Sequence, residues 1–177
     1  LWENYGELQG VVDVPPLPVG FVASHLEVGA VNGAAGLLHE NQCVWRDYPP
    51  CDPKFALLDP ACTRELSRRE FMLQGFSALA GAVEEYLAAA DGMGVSQDLL
   101  GALTRGMLQD LRTCRRDPNN EEARSNLMWR CALWGSRFFQ LGRRFSFPAL
   151  PVRAAAILSS ANWEEYAGAL AVLLLSL

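Results

Sequence analysis

Residues Gln74 to Tyr86 read QGFSALAGAVEEY. The stretch has the periodicity of a helix, yet one face holds a hydroxyl and a bare backbone. Ser77 and Gly81 lie one turn apart, with Ala78, Ala80 and Ala82 around them. Such a face either receives a second helix at close range or once held something larger than a side chain. Ser67 followed by Glu70 is a capping box, which opens this helix and predicts that it runs to about Ala90. Phe76, Leu79, Val83, Tyr86 and Leu87 supply its apolar stripe.

The helical pattern continues downstream. DGMG ends the first helix, and Ser96 caps a second that carries Leu99, Leu103, Met107 and Leu111. The turn Asp117-Pro118-Asn119 breaks it, and Asn119 with Glu122 forms a further capping box. That box opens a third helix through Trp129, Leu133 and Phe138. Gly142 to Pro148 reads as a short basic linker, Val152 to Ser160 as a fourth helix. Asn162 with Glu165 caps a fifth that runs to the end. Upstream the chain is extended. VGFVAS, AAGLLHE and KFALLD read as strands, the last two separated by a Cys43–Cys51 loop with Pro49-Pro50. The expected class is therefore mainly α: a bundle of about five helices preceded by a few short strands. An extended leading segment over 1–66 feeds a helical domain over 67–177. Taken alone, that architecture names no function.

Composition narrows the field. A chain of 177 residues is one ordinary domain, and half apolar with a fifth charged is a globular balance. The net charge of −5 argues against nucleic acid, since phosphate binding needs clustered cations. Arg68-Arg69, Arg115-Arg116 and Arg143-Arg144 read as solvated helix ends. Five cysteines without a CxxC pair suggest reduced thiols and a cytoplasmic setting, with no zinc spacing. A Cys43–Cys51 bond is possible but not indicated. The N-terminus LWENYGEL has Glu3 and Glu7 and no basic region, so no signal peptide is expected. The C-terminal AGALAVLLLSL falls short of the roughly 20 residues that span a bilayer, so no membrane is expected. The first residue is Leu1 rather than methionine, consistent with a piece of something longer.

Three segments are similar to a known family. PKFALLDPACTRELSRREFMLQGFSALAGAVEEYL resembles the domain-crossing region of iron-containing alcohol dehydrogenases, the butanol and propanediol dehydrogenase group. NNEEARSNLMWRCALWG looks like that family's acidic-Ala-Arg helix start followed by a methionine and small residues. LPVGFVASHLEVGAVNG is similar to the strand and loop that close its nucleotide-binding half. The resemblance implies the family's helical C-terminal domain and its leading strands, without the dinucleotide-binding domain.

In that family a divalent metal, usually iron, sits in the cleft. The resemblance puts its first two ligands, an aspartate and a histidine one turn apart, on Ser77 and Gly81, just before Glu84 and Tyr86. The second pair falls on Val152 and Tyr166, and a further family histidine on Ala156. A hydroxyl, a hydrogen and an isopropyl group offer a transition metal nothing, and a lone phenol is a poor substitute. The only histidines, His25 and His39, stand in the first third. The family's Thr-Gly-Ser-Glu nicotinamide loop matches Val22-Ala23-Ser24-His25, where only the serine survives. The expectation is accordingly no catalytic residue, no metal and no cofactor.

Other constellations read as structure. His25 and Glu27 would share a strand face, as general-base machinery or as a solvated pair, while His39 and Glu40 would point apart. Glu84-Glu85 and Glu164-Glu165 diverge by about 100° around a helix. Ser159-Ser160 has no histidine near it and no nucleophile elbow. Trp129, Trp134 and Phe138 read as packing on one helix. Ala167 to Leu177, apolar on nearly every face, demands burial and suggests a homo-oligomer or protein partner. Two functions remain: a non-catalytic helical relic with a structural or partner-binding role, or an NAD(P)-dependent alcohol dehydrogenase completed by upstream sequence or another chain.

Overall fold

The computed structural model describes residues 17–26, 34–39, 42–47, 52–87 and 94–140. Four strands come first: β1 (Gly20–Ala23), β2 (Ala34–His39), β3 (Gln42–Asp47) and β4 (Phe55–Leu58). Three helices follow: α1 (Arg68–Leu87), α2 (Gly94–Arg116) and α3 (Glu121–Gly135). Short 3₁₀ turns at Pro60–Glu65 and Arg137–Gln140 flank them. The mainly helical expectation holds, and the chain matches the C-terminal part of a larger fold identified below. The proposed fourth and fifth helices, with Val152 and Tyr166, lie outside the described residues.

The start of α1 forms as its local code dictates. The Ser67 N–H donates to Glu70 Oε2 at 2.9 Å, and the Glu70 N–H donates to Ser67 Oγ at 3.2 Å. Two orphan donors are thus satisfied reciprocally. Those bonds favour the charged carboxylate and hold Glu70 below the usual carboxylate range, the Ser67 hydroxyl contributing most.

The buried face of α1 differs from the predicted stripe. Phe71, Gly75, Ala78 and Ala82, spaced by four, three and four, turn inward, whereas Tyr86 and Leu87 are exposed and Phe76, Leu79 and Val83 only half-buried. The physical reason is closeness of approach. A Cβ on Gly75 would stand 2.6 Å from Leu111 and 3.2 Å from Leu127, so α2 and α3 press on bare backbone. Of the two answers to the opening question, the short residues admit neighbouring helices.

α2 runs back along α1, since Arg68 reaches the Arg115 carbonyl at one end and Tyr86 lies over Gly101 at the other. α3 then runs parallel to α1, giving an up-down-up trio. Met107, Leu111, Cys114, Leu127 and Cys131 fill the interior. Arg130 of α3 crosses Gly106 and donates to Asp110 at 2.7 Å. Several sequence expectations need correction here. Ser96 lies inside α2, which begins at Gly94. The α3 cap is Asn120 rather than Asn119; Asn120 Oδ1 accepts from the Ala123 N–H at 2.9 Å, while the Asn119 N–H turns back to Asp117. Trp129 and Leu133 face outward, at 58% and 37% exposure, and Phe138 sits in the 3₁₀ turn beyond α3. Leu99 is also exposed.

The three predicted strands exist, and a fourth stands where a loop was expected. β3 occupies part of the Cys43–Cys51 stretch and pairs antiparallel with β2, His39 opposite Gln42. An antiparallel pair of strands therefore precedes, in sequence, the prolines that suggested a loop. β1 and β4 pair in parallel from Gly20 with Phe55 to Ala23 with Leu58. β1 then delivers Ala23 and Leu26 into the helical core, and the Leu26 N–H donates to Gln74 of α1 at 3.1 Å. No helix among the described residues is long and apolar enough to cross a membrane.

Candidate functional site

The face carrying Ser77 and Gly81 is the place to ask whether a metal fits. Ser77 is half-buried and engaged by neighbours. Gly81 is buried against α3, where a Cβ would come within 2.4 Å of Cη2 and 2.6 Å of Cζ2 of Trp134. The indole is 7% exposed, and its Nε1–H donates to Glu85 Oε2 at 2.8 Å. A buried indole N–H needs such a partner, and Glu85, one turn after Gly81, supplies it. The room into which a ligand side chain at position 81 would project is filled by six-membered ring. Glu85 is committed to the indole, and Tyr86 leans onto α2 over Gly101. Among the described residues no group of three or more His, Cys, Asp or Glu converges as a metal centre would require. The residues at this face do not fit the family's metal.

The segment matching the nicotinamide loop sits at the end of β1. Val22 is 60% exposed, Ala23 is buried in the core, and Ser24 Oγ lies 2.7 Å from His25 Nδ1. His25 is half-buried beside the α1 N-terminus, close enough to Glu70 to lower that carboxyl slightly. The proposed His25–Glu27 pair cannot be placed, because Glu27 is outside the described residues, as are Glu40, Cys51, Ser159, Ser160, Glu164 and Glu165. Among the described residues, the sequence-nominated groups do not converge on one site.

The two buried thiols are held in the protonated form. Cys114 and Cys131 are buried and free, and Cys62 is free and partly buried. Burial pushes Cys131 up to about 12, with Asp110 adding to it, and raises Cys114 as well.

The polar centre that sequence reasoning missed is Arg124. Only 7% of it is exposed, yet its guanidinium makes four hydrogen bonds. Nε and Nη2 donate to Thr63 Oγ1 at 3.1 and 2.9 Å, Nη2 also to the Thr63 carbonyl, and Nη1 to the Pro118 carbonyl at 3.0 Å. The cation lies 4.0 Å over the Phe71 ring. The Thr63 hydroxyl itself donates to the Pro60 carbonyl at 2.7 Å. Burial lowers the Arg124 pKa. One side chain thereby joins the 3₁₀ turn, α1, α3 and the Asp117–Asn120 turn. A signal existed: Arg124 stands three and four residues before Leu127 and Met128, on the helix's buried stripe.

Comparison with solved structures identifies the fold. The chain superposes on the aldehyde reductase YqhD of E. coli with a TM-score of 0.78 at 19% identity, over 98% of this chain and 44% of that one. It is similar to the NADH-dependent butanol dehydrogenase A of Thermotoga maritima with a TM-score of 0.77 at 20% identity, over 92% of this chain and 41% of that one. It also matches an iron-containing alcohol dehydrogenase of Corynebacterium glutamicum, TM-score 0.67 at 14% identity, over 85% of this chain and 42% of that one. The chain therefore has the fold of the C-terminal part of iron-containing alcohol dehydrogenases and spans less than half the length of these structures. No protein-family model matches it, and a search of the curated proteins finds no match.

Proposed function

We propose that this chain is a non-catalytic helical unit on the iron alcohol dehydrogenase fold, with a structural or partner-binding role. The observation that carries the reading is the indole of Trp134 lying on Gly81, where the resemblance would put a metal ligand. Ser77 one turn earlier brings a hydroxyl rather than a carboxylate, and the loop matching the nicotinamide site retains only Ser24. A cytoplasmic setting goes with the free thiols of Cys62, Cys114 and Cys131. The partner surface in this reading is the apolar run Ala167 to Leu177, which on a globular protein demands cover by a second copy or another protein.

A second reading has its own support. The matched structures include an NADH-dependent butanol dehydrogenase, and this chain spans 41% of it. An NAD(P)-dependent alcohol dehydrogenase assembled with further polypeptide would account for that share. Elemental analysis and NAD(P)H titration of the purified protein separate the two. The first reading expects no stoichiometric iron or zinc, no nucleotide binding, and a dimer by light scattering that truncation after Asn162 abolishes. Stoichiometric metal with alcohol oxidation would replace it by the second reading.

A further inference from the structure

We infer that Trp134, tethered by Glu85, is a plug seated in the ligand's place, so that any side chain at position 81 and the present indole exclude each other. The inference deepens the non-catalytic reading, and rests on it only for the meaning of position 81. Three facts support it. A Cβ at Gly81 would meet two indole carbons at 2.4 and 2.6 Å, closer than real Cβ contacts come. The atoms it meets belong to a rigid ring rather than to the tip of a flexible chain. That ring is 7% exposed and held by a 2.8 Å bond from its N–H to Glu85, so a retreat would strain that bond and disturb buried packing.

The consequence is that this face is closed by α3 and not merely stripped on α1. Restoring an aspartate at 77 and a histidine at 81 would put an imidazole where the indole stands. The plug also makes position 81 a fastening between two parallel helices, a role for which glycine is the only residue short enough.

A sign reversal tests this. Gly81→Ala should lower the melting midpoint by about 5 °C in the native background, because overpacking outweighs the better helix propensity of alanine. In a Trp134→Phe background, which withdraws the colliding ring carbons, the same change should raise the midpoint by about 2 °C. Gly81→His should likewise be tolerated only with Trp134→Phe, read by far-ultraviolet circular dichroism. Equal effects of Gly81→Ala in the two backgrounds, of either sign, would overturn the plug. If Trp134→Phe itself proves too unstable, Glu85→Gln, which keeps an acceptor for the indole, serves as the second background. There the Gly81→Ala fall should persist, and its disappearance would count against the contact. All these readouts are of stability, so stoichiometric iron in the purified protein would remove the functional reading without touching them.

Discussion

The two ends of the α1–α3 pairing are fastened by opposite chemistry. At the N-terminal end a buried cation, Arg124, lies over Phe71 and is met by the Thr63 hydroxyl and by carbonyls of Thr63 and Pro118. At the C-terminal end an indole lies on bare backbone at Gly81, with one hydrogen bond to Glu85. The polar end is specified by directional bonds and ties four segments together. The apolar end is specified by shape and ties two. Polar clamps fail when a single partner is removed, because the rest are left buried and unpaired. Packed contacts fail by degrees, with the volume lost.

That contrast is sharpest for Arg124→Met. Keeping the apolar stem over Phe71 while deleting the donors strands the Thr63 and Pro118 oxygens, at a cost of about 3 kcal/mol. The melting midpoint should fall by roughly 10 °C, clearly more than for Trp134→Phe. A smaller fall than the tryptophan variant shows would reverse the ranking of the two ends. Next in size is Asn120→Ala. It removes the acceptor for the Ala123 N–H and should cost about 1 kcal/mol in urea unfolding, with the slope of the transition unchanged. Asn119→Ala should cost less, since Asn119 takes part there through its backbone N–H alone.

The smallest effect is a pH dependence at the polar end. Glu70 is held below its ordinary value of 4.5 in the folded chain, so its contribution is fully present above that value. It is lost as pH falls through the lowered folded-state pKa. Thermal melts between pH 5 and pH 3 should show a loss in the native protein that Glu70→Gln partly flattens, because glutamine keeps the capping geometry without titrating. Parallel curves would deny the box its electrostatic part.

Legibility in the sequence follows the range of the interactions. Ser67 with Glu70, and the break at Asp117-Pro118, are signals complete within four residues, and they hold in the structure. The cap of α3 slipped by one residue because Asn119 and Asn120 are chemically equal, and only the turn geometry distinguishes them. The face of α1 misled for a different reason. Phe76, Leu79 and Val83 are more hydrophobic than Gly75, Ala78 and Ala82, yet the smaller set lies inside, chosen by Leu111 and Leu127 far along the chain. The same long-range choice separates Trp134, buried, from Trp129, exposed, five residues apart on one helix. Position 81 was legible as chemically empty; that a ring fills the emptiness required three dimensions. β3 was hidden by the prolines that follow it, although its partner β2 was plain.

The parallel register of β1 with β4 has a kinetic consequence. Bringing Gly20 beside Phe55 closes a long stretch of chain, whereas each capping box is made between near neighbours. Helical turns can nucleate at once, but the ribbon must wait for a slow diffusive search. The β1–β4 pairing is accordingly expected to form after the first helical turns, and pulsed hydrogen exchange during refolding would check that order.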